Sequence, residues 1–247
     1  MLNYRNTTIG FIVVTFLIIV LWIFDLSSIY WLAFPILLYL LFLILGSVNI
    51  QWNFYTKSIH RLKSTNQILL SFDDGPHPLF TLAILNLLDR YQAKAIFFLI
   101  GEQAEKYPQL VKEIVQRGHM IGNHSYSHAD SFDFFSVIRM EQEVSKTNRI
   151  IEDICGQQPI FFRPPYGVTN PRIHRLIMNS GMKSVGWSFR SFDTTHRSNE
   201  QIIRKIRETI KGGEILLFHD RIGRTYQILE DVLAVLSERF ELAAHLE

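Results

Sequence analysis

Two apolar runs, residues 9–24 and 29–45, open the chain and are parted only by Asp25-Leu26-Ser27-Ser28. As a helix each run is about 24–26 Å long at ~1.5 Å per residue. That falls just short of a ~30 Å hydrocarbon core, and flanking Thr, Ser, Trp and Tyr side chains reach the interface. Backbone amides in lipid must bond within their own segment, so a pair of helices is predicted. Pro35 sits in the first two turns of the second run, where a missing N–H is tolerated. The expectation is a transmembrane helical hairpin over residues 1–50 with a short polar tip. A cleaved signal peptide would need a basic start, a shorter apolar core and a small-residue cleavage site. Here only Arg5 is basic and a second run follows at once. Arg5 precedes the hairpin and Lys57, Arg61 and Lys63 follow it, while the tip carries only Asp25. The positive-inside rule therefore puts both ends, and the rest of the chain, in the cytoplasm of a multi-pass bacterial membrane protein.

Residues 51–66 read as a linker, and residues 67–247 as one α/β domain. Strands are expected at 68–70, 95–100, 120–121, 160–162, 184–187 and 215–218. Helices alternate with them at 78–91, 108–117, 135–154, 171–179, 199–210 and 225–239. Such alternation gives a parallel sheet with helices packed over it. A full eight-unit barrel takes about 250 residues, so a distorted, incomplete (β/α) barrel is the better fit. With 25 Lys and Arg against 23 Asp and Glu, and no basic stripe, no nucleic acid partner is expected. A lone Cys155 excludes an internal disulfide and a zinc site built on several thiolates, and reads as a packing residue.

The polar residues that can do chemistry fall at strand ends, where parallel α/β folds build their sites. The first group is Ser71-Phe72-Asp73-Asp74-Gly75-Pro76-His77-Pro78. Adjacent carboxylates repel and need a cation or a shared proton, and a helix cap accounts for one of them only. The second is His124-Ser125-Tyr126-Ser127-His128. Two imidazoles four apart can converge on one metal, and with an acid from the first group they leave positions open for catalysis. The third, Arg163-Pro164-Pro165-Tyr166-Gly167, offers a rigidly held guanidinium able to keep a carboxylate ionised. The fourth runs from Trp187 to Asp193, and the fifth is Leu216-Leu217-Phe218-His219-Asp220. A strand-end His beside a hydrolytic metal site is the natural proton donor to a leaving amine.

In this order the five groups resemble the polysaccharide deacetylase family, carbohydrate esterases that share the NodB homology domain. The resemblance runs from about Gln67 to the end of the chain. It implies a distorted (β/α) barrel, a divalent metal (most often zinc), and hydrolysis of an N-acetyl or other N-acyl group on an amino sugar. It further implies Asp73 as general base, Asp74, His124 and His128 as metal ligands, and Arg163 orienting Asp73. The backbone N–H of Tyr166 would stabilise the oxyanion, and His219, tuned by Asp193, would be the general acid. Arg190 stands where the family often has an acid, and Thr194 where it often has Trp. This departure points to a cleft unlike that of enzymes working on long chitin or peptidoglycan chains, with Arg190 and Arg197 as candidates to meet a phosphate. Two substrates follow: a polysaccharide, or a lipid-linked glycan, including deformylation of a lipid-carried amino sugar at the cytoplasmic face. A non-catalytic glycan-binding membrane protein is the competing class, though it needs no base and acid pair.

Overall fold

The computed structural model describes residues 2–246; Met1 and Glu247, the outer ends of the expected division, lie outside them. The apolar runs form α1 (Tyr4–Ile23) and α2 (Ala33–Val48), with a 3-10 turn at Ile29–Leu32 between them. They meet where the Thr8 and Tyr39 hydroxyls lie 2.9 Å apart and the Phe11 ring stacks on Tyr39 at 4.4 Å. Helix α1 buries none of its residues and α2 only Pro35 and Gly46. With a mean hydropathy of 2.3 for each span, the hairpin carries apolar surface on all sides that the rest of the described chain leaves uncovered.

The segment expected as a linker is itself structured. Ile50 and Phe54 are buried, and Ser58–Ile59 forms β1. Phe54 lies where Gly46 of α2 has no side chain: a Cβ there would stand 2.2 Å from the Phe54 ring. The other strands are β2 (Gln67–Gly75), β3 (Ala95–Leu99), β4 (Met120–Asn123), β5 (Phe161–Phe162), β6 (Lys183–Val185), β7 (Phe189–Arg190), β8 (Glu214–His219) and β9 (Glu241–Leu242). Eight of them run β1-β6-β5-β4-β3-β2-β8-β7, and β9 joins β2 below the start of β3. Every named pair is parallel. Beyond β1, Arg61 bridges to Glu214 at the start of β8, which brings the two sides of the sheet together at one end. The result is the expected incomplete barrel.

Helices α3 (Phe80–Arg90), α4 (Gly101–Lys106), α5 (Pro108–Gln116), α6 (Val137–Cys155), α7 (Pro171–Ser180), α8 (Asn199–Thr209) and α9 (Gly223–Arg239) wrap the sheet. Helix α4 was not foreseen, because six largely polar residues carry no apolar period. Local signals set the helix ends. Asn170 caps α7 ahead of Pro171, Ser198 and Gln201 form a capping box on α8, and left-handed Gly156 and Gly181 close α6 and α7. Cys155 donates to the Ile151 carbonyl within α6, as a packing residue would.

Strand β2 shows how the core positions the site. Side chains alternate across a strand, so Ile68, Leu70 and Phe72 pack among the helices. Leu69 packs with Ile96, Phe98 and Ile215 in a separate cluster. Ser71 and Asp73 share the face of Leu69 and point toward the barrel axis. The acidic pair does not follow the strand, as expected from sequence, but lies within it. The register with β3 slips between Asp73 and Gly75, leaving Asp74 as a bulge with φ +75°. Consecutive strand residues normally face opposite ways, and a bulge re-aims one of them. That slip lets two neighbouring carboxylates serve one cleft.

Candidate active site

Asp73 and His219 are partners in register on the adjacent strands β2 and β8, at the same level of the barrel. Asp73 is held from within. The Arg163 guanidinium is fully buried and donates through Nη1 to Asp73 Oδ1 at 2.6 Å and to Ser71 Oγ at 3.1 Å. Its other nitrogens bond the Val185 and Gly186 carbonyls at 3.2 and 2.8 Å, and its Cζ lies 4.0 Å from the Phe98 ring centre. Phe98 fits there because Gly122 opposite has no Cβ; one would come within 2.3 Å of the ring.

Asp74, His124 and His128 converge. His124 Nε2 and His128 Nε2 lie 3.5 and 3.4 Å from Asp74 Oδ1, and one ligand atom from each residue falls within 4.8 Å of the others. His124 Nδ1 is 2.7 Å from the Arg163 carbonyl. A carbonyl only accepts, so Nδ1 carries a hydrogen and Nε2 is the ring nitrogen turned to Asp74. Burial and the charge of His124 push His128 down to about 4, so it is neutral and able to ligate near pH 7. Burial would raise Asp74, but the hydrogen bond and charge of His124 outweigh it and hold the carboxyl well below the usual range. Burial likewise opposes a charge on His124, yet Asp73 and Asp74 raise it above the ordinary imidazole value. These groups want a cation among them. One ionised carboxylate and two imidazoles fit a divalent metal with open positions.

Backbone strain gathers here. Asp74, Ser125, His128 and Tyr166 all have positive φ, at +75, +65, +48 and +59°, a conformation that costs about 1–3 kcal/mol for a residue with a side chain. The His124–His128 loop is pinned by Glu143 of α6, whose Oε2 accepts from the Tyr126 and Ser127 amides at 3.0 and 2.7 Å. Tyr166 lies over the site with its ring 4.8 Å from His128 and its hydroxyl donating to Asp130. Burial and that hydrogen bond push the hydroxyl up to about 12. Gly167 lies against Trp187, and an added Cβ would be 2.2 Å from the indole.

On the far side, Asp193 grips His219 twice, accepting from its backbone N–H at 2.7 Å and meeting its Nδ1 at 2.8 Å. Thr225 and Ser191 hydroxyls donate to the same carboxylate at 2.8 and 2.9 Å. Burial opposes a charge on His219, but the Asp193 bond and charge raise its imidazole above the ordinary value. Asp220, the acid next to His219 in sequence, turns away to Thr81 and keeps one buried oxygen without a partner. Burial pushes it up to about 7. Gly75 makes room for it, since a Cβ there would come 2.2 Å from Asp220 Oδ2.

All eight sequence-predicted residues thus lie around one region. Asp73, Asp74, His124, His128, Tyr166 and His219 line a cleft of about 460 Å³, with Arg163 and Asp193 buried behind it. Sequence reasoning missed Glu143 and Arg221, and gave Ser71 no role within the first group. Arg221 Nε donates to the second oxygen of Asp74 at 2.9 Å, and only its place beside the fifth motif hinted at it.

Comparison with known proteins agrees with this geometry. Residues 61–185 match the family described as polysaccharide deacetylase. The chain is 33% identical to a chitooligosaccharide deacetylase of Azorhizobium caulinodans, over 64% of this chain and 75% of that one. The chain belongs to the polysaccharide deacetylase family. This deacetylase is a hydrolase of carbon–nitrogen bonds other than peptide bonds. It is also 32% identical to a peptidoglycan-N-acetylglucosamine deacetylase of Bacillus cereus, over 69% of this chain and 80% of that one. The solved structure of the peptidoglycan deacetylase PdaC from Bacillus subtilis superposes with a TM-score of 0.68 at 29% identity, over 72% of this deacetylase and 87% of PdaC. Its Asp74-His124-His128 group is consistent with the family's divalent metal site.

Proposed function

We propose that this chain is a membrane-anchored, zinc-dependent deacetylase that removes the N-acetyl group from an N-acetylhexosamine of a glycan. The observation that carries the reading is Asp73 and His219 in register on neighbouring strands, with the Asp74-His124-His128 cluster beside them. Asp74, His124 and His128 would hold the metal, which supplies Lewis acidity to the amide carbonyl and to the attacking water. Asp73 takes the proton of that water. Its Oδ1 is occupied by Arg163, so Oδ2, 3.7 Å from His124 Nε2, is the oxygen left to act. The Tyr166 N–H donates to the developing oxyanion, a contribution of about 3 kcal/mol for such a donor. His219, oriented through Nδ1 by Asp193, delivers a proton from Nε2 to the departing amine.

The relatives named as a chitooligosaccharide deacetylase and a peptidoglycan-N-acetylglucosamine deacetylase support the acetyl group and the sugar. Two helices long and apolar enough to cross a membrane, with almost nothing buried, support the anchor. Their charge flanks favour the cytoplasmic side for the catalytic domain. The deciding assay uses the full chain in detergent, loaded with zinc, on an N-acetylated chitooligosaccharide. Acetate and free amine should appear in equal amounts. A chain with stoichiometric metal that deacetylates no N-acetylated amino sugar would refute the reading.

A pH prediction follows from the His219–Asp193 pair. The proton on His219 is needed for amine departure, and Asp193 raises the pH to which it is kept. The sign is fixed: a raised acid pKa extends activity upward, and activity is lost as pH climbs through it. Asp193→Asn should therefore move the alkaline limb of the kcat/KM profile to lower pH. An unmoved limb would separate Asp193 from catalysis.

A further inference from the structure

At the edge of the cleft, three cations gather on one aromatic ring. Phe192 sits on a backbone with φ +64°. The Arg197 guanidinium lies 4.2 Å from the centre of its ring, the Lys205 ammonium 4.7 Å and the Arg190 guanidinium 5.3 Å. Among the described residues none of the three has a carboxylate oxygen within 4.0 Å. Nearby acids are already engaged: Asp193 by His219, and Glu200 by Ser198 at the start of α8. The ring offers each cation a modest attraction, but like charges this close repel one another. Burial and the charge of Arg197 together hold the Lys205 ammonium below its ordinary value. The loop beneath is built rather than loose, since the Arg224 guanidinium bonds the Thr195 and Arg197 carbonyls and the Asn199 side chain. An unneutralised cluster on a braced loop is complementary to an anion.

Its position says which anion. Trp187 and Arg190 line two hollows at once. One is the catalytic cleft. The other, of about 530 Å³, is bounded by Leu45 and Val48 of α2, by Trp52 and by Phe192. A single surface therefore leads from the reacting centre past Arg190 to the apolar end of the hairpin. That end is fixed against the domain: the Thr169 amide donates to the Ser47 carbonyl at 2.9 Å, and the Ser47 hydroxyl to the Thr169 carbonyl at 2.8 Å. Ile50 packs on Gly186, whose carbonyl holds Arg163. With the hairpin anchored in a membrane as proposed above, the end of α2 that borders this groove would lie near the lipid headgroups.

We infer that this groove binds the phosphate of a lipid-linked amino sugar, with the sugar in the cleft and the lipid chain along α2. The inference rests on the deacetylase reading and names its substrate class. Arg190, Arg197 and Lys205 meet the phosphate, and Leu45 and Val48 meet the first part of the chain.

Full-length protein in nanodiscs of neutral phosphatidylcholine tests this by titration with two probes. One is N-acetylglucosamine joined to a prenyl chain through a diphosphate; the other has the same sugar and chain joined through an uncharged spacer. The diphosphate probe should bind at least tenfold more tightly. Arg197→Gln/Lys205→Gln, which spares the catalytic cleft, should abolish that preference and leave binding of the uncharged probe unchanged. Equal binding of the two probes, or equal loss of both in the double variant, overturns the proposal. So does displacement of the diphosphate probe by equimolar phosphatidylglycerol in the discs, which would mark a general headgroup site, or by equimolar inorganic diphosphate. Acetate release is measured alongside. Its absence with the preference intact refutes the catalytic reading alone, and the groove assignment stands.

Discussion

Asp73→Asn should lower kcat by about a thousandfold, within the 10²–10⁴ range of a positioned general base, and leave the metal content unchanged. The amide has nearly the shape of the carboxylate, so its oxygen can still accept from Arg163 where Asp73 Oδ1 now does at 2.6 Å. What it lacks is a basic oxygen to take a proton from water. The three ligand atoms come from Asp74, His124 and His128 and are untouched by the change. His124→Ala is the contrast: it removes a ligand, and both metal and turnover should go. Metal analysis after dialysis, set beside acetate release, separates the two. Near-normal rates in Asp73→Asn would assign the base elsewhere. Loss of metal would make Asp73 a ligand, which its 3.7 Å approach to His124 Nε2 makes a fair question.

What sequence could foresee divides along physical lines. His124 and His128 were legible because their meeting depends on four residues of local chain. The acidic pair was legible as chemistry but misplaced in structure. Its bulge is a one-residue slip against β3, and nothing in residues 67–75 alone records how the partner strand is paired. The Asp193–His219 contact spans 26 residues, and it came from family resemblance rather than from spacing. Glu143 was invisible for another reason. On an amphipathic helix it reads as one more solvated charge, although it accepts from the loop that aims His128. The hairpin was predicted as a pair of helices and found as one. Its fit to the domain through Ser47 and Thr169, 122 residues apart, leaves no periodic trace. A fold built from local periods is readable; a site closed by distant contacts is readable only where each contact has a chemical reason.

Arg163 is where that reason is strongest. Arg163→Leu should lower stability by about 3–5 kcal/mol, the usual consequence of removing one partner from a buried ion pair. For a chain of this size that is roughly 10 °C in apparent Tm. Arg163 is wholly buried, so the leucine leaves the Asp73 carboxylate inside the barrel without its counter-ion. The Val185 and Gly186 carbonyls also lose their donor. Turnover should fall as well, because Asp73 Oδ1 is no longer held and its carboxylate is free to rotate. Arg163→Lys should recover part of the stability and little of the activity: one ammonium supplies the charge but cannot bond Asp73, Ser71 and two carbonyls from a single plane. Asp73→Asn/Arg163→Leu closes the cycle. If the two groups act as a pair, the double variant should lose clearly less stability than the single losses added together. Strict additivity would mean that Arg163 stabilises the barrel through its carbonyl bonds and Phe98, and that its grip on Asp73 serves catalysis alone.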